Sequence, residues 1–84
     1  MSKYKKKPVE VEAVEWTGDN VSEITTFIPA DLWFMHKQGD EQTLFIKTLA
    51  GQHKAIPTDM IIKGVSDEYY PCKKDIFEKT YDKV

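Results

Sequence analysis

Near the start of the chain, Val9, Val11 and Ala13 alternate with Glu10 and Glu12, the two-residue period of a half-buried strand. The phase then slips, because Val14 and Trp16 are apolar on either side of Glu15. One extra residue at Ala13–Val14 reconciles the two phases, so a β-bulge is expected there; the alternative is a strand end buried on both faces. The period then changes. Val21, Ile24, Phe27 and Ile28 fall on one helical face. Thr17–Gly18–Asp19 supplies turn chemistry before that face, and Asn20 is its expected N-cap, with Glu23 completing a capping-box pattern. Pro29 ends the helix by pushing Ile28 away from the α region. Two turns cannot stand alone, so this helix must pack on a sheet.

The second half of the chain predicts short strands in hairpin succession. Leu32–Met35 is an apolar run too short for periodicity to assign; it is read as a strand because the polar turn Lys37–Gln42 and another strand follow it. In Thr43–Leu49, Leu44, Ile46 and Thr48 face one way and Thr43, Phe45, Lys47 and Leu49 the other. Ala50–Gly51 resembles a two-residue hairpin turn, Gln52–Ile56 returns, and Pro57 closes it. Met60–Lys63 and Glu68–Cys72 are the last two strands, joined by a tight Gly64–Glu68 connection. Asp75 is the expected cap of a final helix, with Ile76 and Phe77 on its buried side and Tyr81 a turn further on. The order is β-α-β-β-β-β-β-α. It implies an α+β fold with a small, curled, mainly antiparallel sheet, a partly open barrel.

The chain has 84 residues, which fits one domain, 1–84, with a frayed basic lead over 1–7. A domain this small buries only about 60% of its unfolded surface. With 40% apolar and 12% aromatic residues it can still build a core. No apolar run approaches the roughly 20 residues that span a bilayer. Lys3, Lys5, Lys6 and Lys7 precede no apolar stretch, so no signal peptide is read and a cytosolic protein is expected. The net charge is −2, and all 12 basic residues are lysine. Without arginine, the usual reader of guanine edges, sequence-specific nucleic-acid binding is not expected.

Three segments, KKPVEVEAVEW, LFIKTLAG and IIKGVSDEYYPCKKDIFEKTY, resemble a family of small uncharacterised proteins of tailed bacteriophages and prophages. The carboxy-terminal pattern IIxGVxxExYPCKxDIFxxTY is the most specific part of the resemblance. The sequence departs from it at three places. Thr58 and Asp67 stand where the family more often has glycine, and Lys74 where proline commonly follows Lys73. The first two put the turn types in question, because glycine tolerates positive φ better than Thr or Asp. The resemblance implies a phage-encoded protein acting in the cytoplasm of a bacterial host. It implies no particular activity.

Catalytic chemistry finds little support. His36 and His53 sit on different expected strands with no third ligand at a recognisable spacing, so no metal is expected. Ser22 and Ser66 occupy no nucleophile elbow. Glu12 and Glu68 would pair only if their strands were neighbours. Cys72 lies before a helix beside Lys73 and Lys74, which would lower its pKa; it also sits at a strand end, where buried structural cysteines are common. An enzyme built on Cys72 is therefore the least favoured of three readings. The favoured one is a non-enzymatic binding protein, without cofactor, that sequesters a small nucleotide-derived host immune signal. Trp16, Lys47, Lys63, Tyr69, Tyr70, Lys73 and Tyr81 would supply aromatic faces and cations for it. The competing view makes Tyr70, Phe77 and Tyr81 plain core. The alternative function is a protein–protein inhibitor or adaptor that meets a host protein through a strand edge or the Trp33–Phe34–Met35 run. No membrane partner is expected, and a small curled sheet leaves room for a homo-oligomer.

Overall fold

Six strands and two short helices follow one another in the expected order: β1 Glu12–Glu15, α1 Val21–Phe27, β2 Trp33–Gln38, β3 Glu41–Thr48, β4 Gly51–Ala55, β5 Met60–Lys63, β6 Tyr69–Cys72 and α2 Lys74–Thr80. The computed structural model describes residues 2–3 and 10–81. Most of the basic lead, and the strand start at Pro8–Val9, lie outside these residues. The strands form two three-stranded antiparallel sheets, ordered β1-β5-β6 and β2-β3-β4. The fold is the expected small antiparallel α+β unit, with its described strands divided between two sheets and no closed barrel among them. The division falls at the turn Ile56–Asp59, where Pro57 and the turn that follows it interrupt the ladder between β4 and β5.

The two sheets pack face to face, with β6 against β3 and β4. Between them lies a core in which Trp16, Ile24, Ile28, Leu44, Ile46 and Ile61 are fully buried. Each such aliphatic side chain contributes about 1.5–3 kcal/mol by leaving water. Helix α1 closes one side of that core with the predicted face: Ile24 and Ile28 are buried, and Val21 and Phe27 pack beside them. Phe27 meets Tyr69 edge to face, with ring centroids 5.5 Å apart.

Local chemistry explains the boundaries and several departures from expectation. Strand β1 pairs with β5 in unbroken register, Ala13 opposite Ile62 and Val14 opposite Ile61, so there is no bulge at Ala13–Val14. Nor is the strand end buried on both faces: Val14 packs against the core, while Ala13 and Glu15 on the other face are half-buried. Asn20 holds the N-cap position of α1, but its side chain does not cap the helix. Its Oδ1 accepts hydrogen bonds from the Thr17 backbone N–H (2.9 Å) and hydroxyl (3.0 Å), and its Nδ2 donates to the Glu15 carbonyl and Glu23 Oε1, both at 2.7 Å. The residue ties the end of β1 to the start of the helix. The run before β2 begins as a three-residue 3-10 turn, Ala30–Leu32, and becomes strand at Trp33. Two-residue turns at Gly39–Asp40 and Leu49–Ala50 join β2, β3 and β4, so the second turn lies one residue earlier than expected. Gly39 (φ 61°) and Gly51 (φ 114°) supply the positive angles that such tight reversals require.

Thr58 (φ 84°) and Asp67 (φ 60°) also adopt positive φ, a conformation that non-glycine residues seldom take. Ile56–Asp59 has the features of a type II turn, with Pro57 second, Thr58 third and the Asp59 N–H donating to the Ile56 carbonyl at 3.0 Å. The buried Asp59 carboxylate braces this turn by accepting the Ile56 N–H at 3.0 Å.

Candidate functional site

Alternation along a strand assigns every side chain to a face, and it divides the predicted ligand set across the molecule. Trp16 is 0% exposed and Tyr69 is 7% exposed, both in the core between the sheets. The indole N–H of Trp16 points into the protein with no acceptor among the described residues. Neither residue offers a surface to a ligand, and this corrects their placement in a binding site: the core of so small a domain claims its largest aromatics. Lys63 lies at the end of β5, 3.8 Å from Asp67. Lys47 is exposed on the other sheet.

Tyr70, Tyr81 and Lys73 belong to a third region, the outer face of β1-β5-β6. Helix α2 lies over that face, anchored by Lys74 Nζ at 3.0 Å from Glu15 Oε1. Beneath it Ile62 is almost wholly buried, yet it stands apart from the main core. The Tyr70 phenol is pushed up to about 12 by burial, then by the adjacent Tyr81 hydroxyl and by the Glu68 carboxylate. Tyr81 packs against Phe77, centroids 5.1 Å apart. Two details of α2 differ from expectation. Lys73, not Asp75, holds the N-cap position, with Asp75 in the first turn, and Ile76 is 51% exposed rather than buried. The helix starts two residues earlier than Asp75 capping would require, and Ile76 lies on its outward side.

Cys72 points to this same side, where burial and the carboxylates of Asp59 and Asp75 raise its pKa. The expectation that Lys73 and Lys74 would lower it is corrected: burial first, then the two carboxylates, raise it, and the Lys74 ammonium is engaged with Glu15. A thiol held protonated is a poor nucleophile. The other candidate groups are also kept apart. Glu12 and Glu68 lie on either side of β5. His36 pairs with Thr43 and His53 with Ile46, which places the imidazoles on opposite faces, with β3 between their strands.

The face left open is the outer side of β2-β3-β4. Phe34 and Phe45 are cross-strand partners on it, stacked with centroids 4.8 Å apart and planes 9° from parallel. Lys54 continues the same row on β4, and Lys47 lies in the next row opposite Gln52. His36 and Thr43 complete the row on the other side. Neither helix packs there: α1 lies on the core side of the fold and α2 on the other sheet. Both rings are half-buried. Of these residues only Lys47 belonged to the predicted ligand set. The alternation had already placed Phe45 and Lys47 opposite Leu44 and Ile46, so their shared outward face was legible. That neither helix among the described residues covers it was not.

A shallow hollow of about 420 Å³ lies elsewhere, lined by Ile56, Thr58, Asp59, Lys73, Lys74, Asp75 and Glu78. It contains three carboxylates and two ammonium groups. No cluster of three or more candidate metal ligands occurs among the described residues, and none of their helices is long and apolar enough to cross a membrane. Comparison with protein-family models, with curated proteins and with solved structures finds no match for the chain.

Proposed function

We propose that this chain is a non-enzymatic, phage-encoded binding protein that acts in the bacterial cytoplasm on a host protein, docking through the outer face of β2, β3 and β4. The observation that carries the reading is the Phe34–Phe45 stack, an apolar pair on a sheet face that no helix covers. Aromatic side chains held rigid on a sheet lose little entropy on binding, so they make efficient anchors at protein interfaces. The aromatics that would have stacked on a nucleotide lie in the core or under α2. Immobilised protein should retain a stoichiometric partner from host lysate, and the Phe34→Ser/Phe45→Ser double variant should lose it while keeping its circular dichroism spectrum. Retention by the variant would remove this face from the proposal.

A second reading, capture of a nucleotide-derived host signal, draws its support from the hollow that Lys73 lines, which is of small-molecule size. Its three carboxylates oppose an anionic ligand. Calorimetry with cyclic nucleotides and ADP-ribose decides it: no heat with any of them ends that reading.

A further inference from the structure

The hairpin of β3 and β4 is electrically unlike the rest of the molecule. The chain carries 14 acidic residues, yet none falls between Glu41 and Asp59, the longest such gap in the sequence. Within that gap lie Lys47, His53 and Lys54, all exposed, and neither lysine has an ion-pair partner among the described residues. A protein of net charge −2 thus presents a cationic arm. The turn at its tip holds Leu49 fully exposed.

The arm also ends in an open strand edge. β4 is the last strand of its sheet, its far side has no strand partner among the described residues, and Gly51–Lys54 are all exposed. The edge strand β6 of the other sheet contains Pro71, which lacks the N–H that a further strand would need. β4 contains no proline, so its outward N–H and C=O groups are available. A lysine on an edge usually guards against self-pairing. Here it selects. Two copies of β4 side by side would bring like charges together, whereas an acidic strand would gain from both lysines.

We infer that the free edge of β4 takes an acidic, extended segment of a partner protein as an added strand, paired through its backbone and held by Lys47 and Lys54, its outward side chains extending the row of Lys54, Phe45 and Phe34. This names the partner chemistry for the docking face and rests on that reading. Backbone pairing gives affinity and the flanking side chains give selectivity. A single-stranded nucleic acid fits less well: the two rings stack on each other, and two lysines make few phosphate contacts.

The test uses a fluorescein-labelled peptide alternating Glu and Val, its Lys/Val counterpart and a labelled oligothymidylate. The Glu/Val peptide should bind the intact chain, the Lys/Val peptide should not, and Lys47→Glu/Lys54→Glu should weaken binding by about tenfold or more. Binding should weaken as salt rises. Hydrogen exchange should slow at amides within Gly51–Ala55 when the peptide is bound. Equal binding of both peptides, tighter binding of the oligonucleotide, or unchanged exchange in β4 would each overturn the inference. The Phe34→Ser/Phe45→Ser variant separates this inference from the docking reading. If a host partner is captured through those rings but the peptide fails, the edge inference falls alone. If the peptide binds wild type and variant alike, the edge stands and the aromatic face falls.

Discussion

The two sheets have the same number of strands and the same antiparallel pairing, but they are buried differently. β1-β5-β6 meets the core on one side and on the other is joined to α2 and its end by the Lys74–Glu15 pair and the Tyr70–Tyr81 contact, and adjacent residues Ile61 and Ile62 are both buried. β2-β3-β4 is covered once, so Leu44 and Ile46 are buried while Phe45 between them is only half-buried. The singly covered sheet has kept an aromatic pair and cations where solubility alone would favour polar residues. Both sheets supply the core, and the contrast is what motivates the proposal that the second sheet carries the docking face.

The largest effect that would break this contrast comes from trimming each sheet. Ile61→Ala and Ile62→Ala should each cost about 2–5 kcal/mol in chemical denaturation, since each leaves a cavity. Phe45→Ala should cost only about 1 kcal/mol, chiefly its stacking with Phe34. If Phe45→Ala costs as much as Ile62→Ala, the outer face of β3 is covered after all. Next comes the turn that joins the sheets. Thr58→Gly should stabilise the protein by about 1 kcal/mol, because a β-branched residue at positive φ carries strain that glycine avoids. A fall in stability would mean that the Thr58 side chain makes a compensating contact. Asp67→Gly should gain less, since Asp tolerates the left-handed region better.

Smaller effects probe the cover over the first sheet. Tyr70 holds its proton to about 12 in the folded chain, against 10.0 for the free side chain. The folded state therefore binds more protons than the unfolded state between these values. The contribution is fully present below pH 10 and is lost as pH rises toward 12. Tyr81→Phe should bring the Tyr70 transition down toward its ordinary value in a phenolate absorbance titration, and an unmoved transition would show that burial alone sets it. Smallest of all is Lys74→Ala. Its ion pair with Glu15 is solvent-exposed and screened, so the denaturation midpoint should stay where it is. A clear drop would mean that this pair, rather than burial of Ile62, holds α2 in place.

The elements were legible from local pattern. Helical spacing from Val21 to Ile28, alternation through β3, and the stops at Pro29 and Pro57 depend only on neighbours in sequence, and the observed order follows them. The turns at Thr58 and Asp67 were legible as turns, but their positive φ was not. The other failures needed partners distant in the chain. The slip at Ala13–Val14 resembled a bulge because the pairing with β5, far along the chain, cannot be read from β1. Trp16 and Tyr69 resembled ligand-stacking aromatics because an aromatic side chain has the same composition in a core as in a cleft. The partition into two sheets, the choice of which one α2 covers, and the exposure that leaves Phe34, Phe45, Lys47 and Lys54 together were decided by tertiary packing alone. Side-chain periodicity assigns a residue to a face, and only the assembled fold decides whether that face meets protein or water.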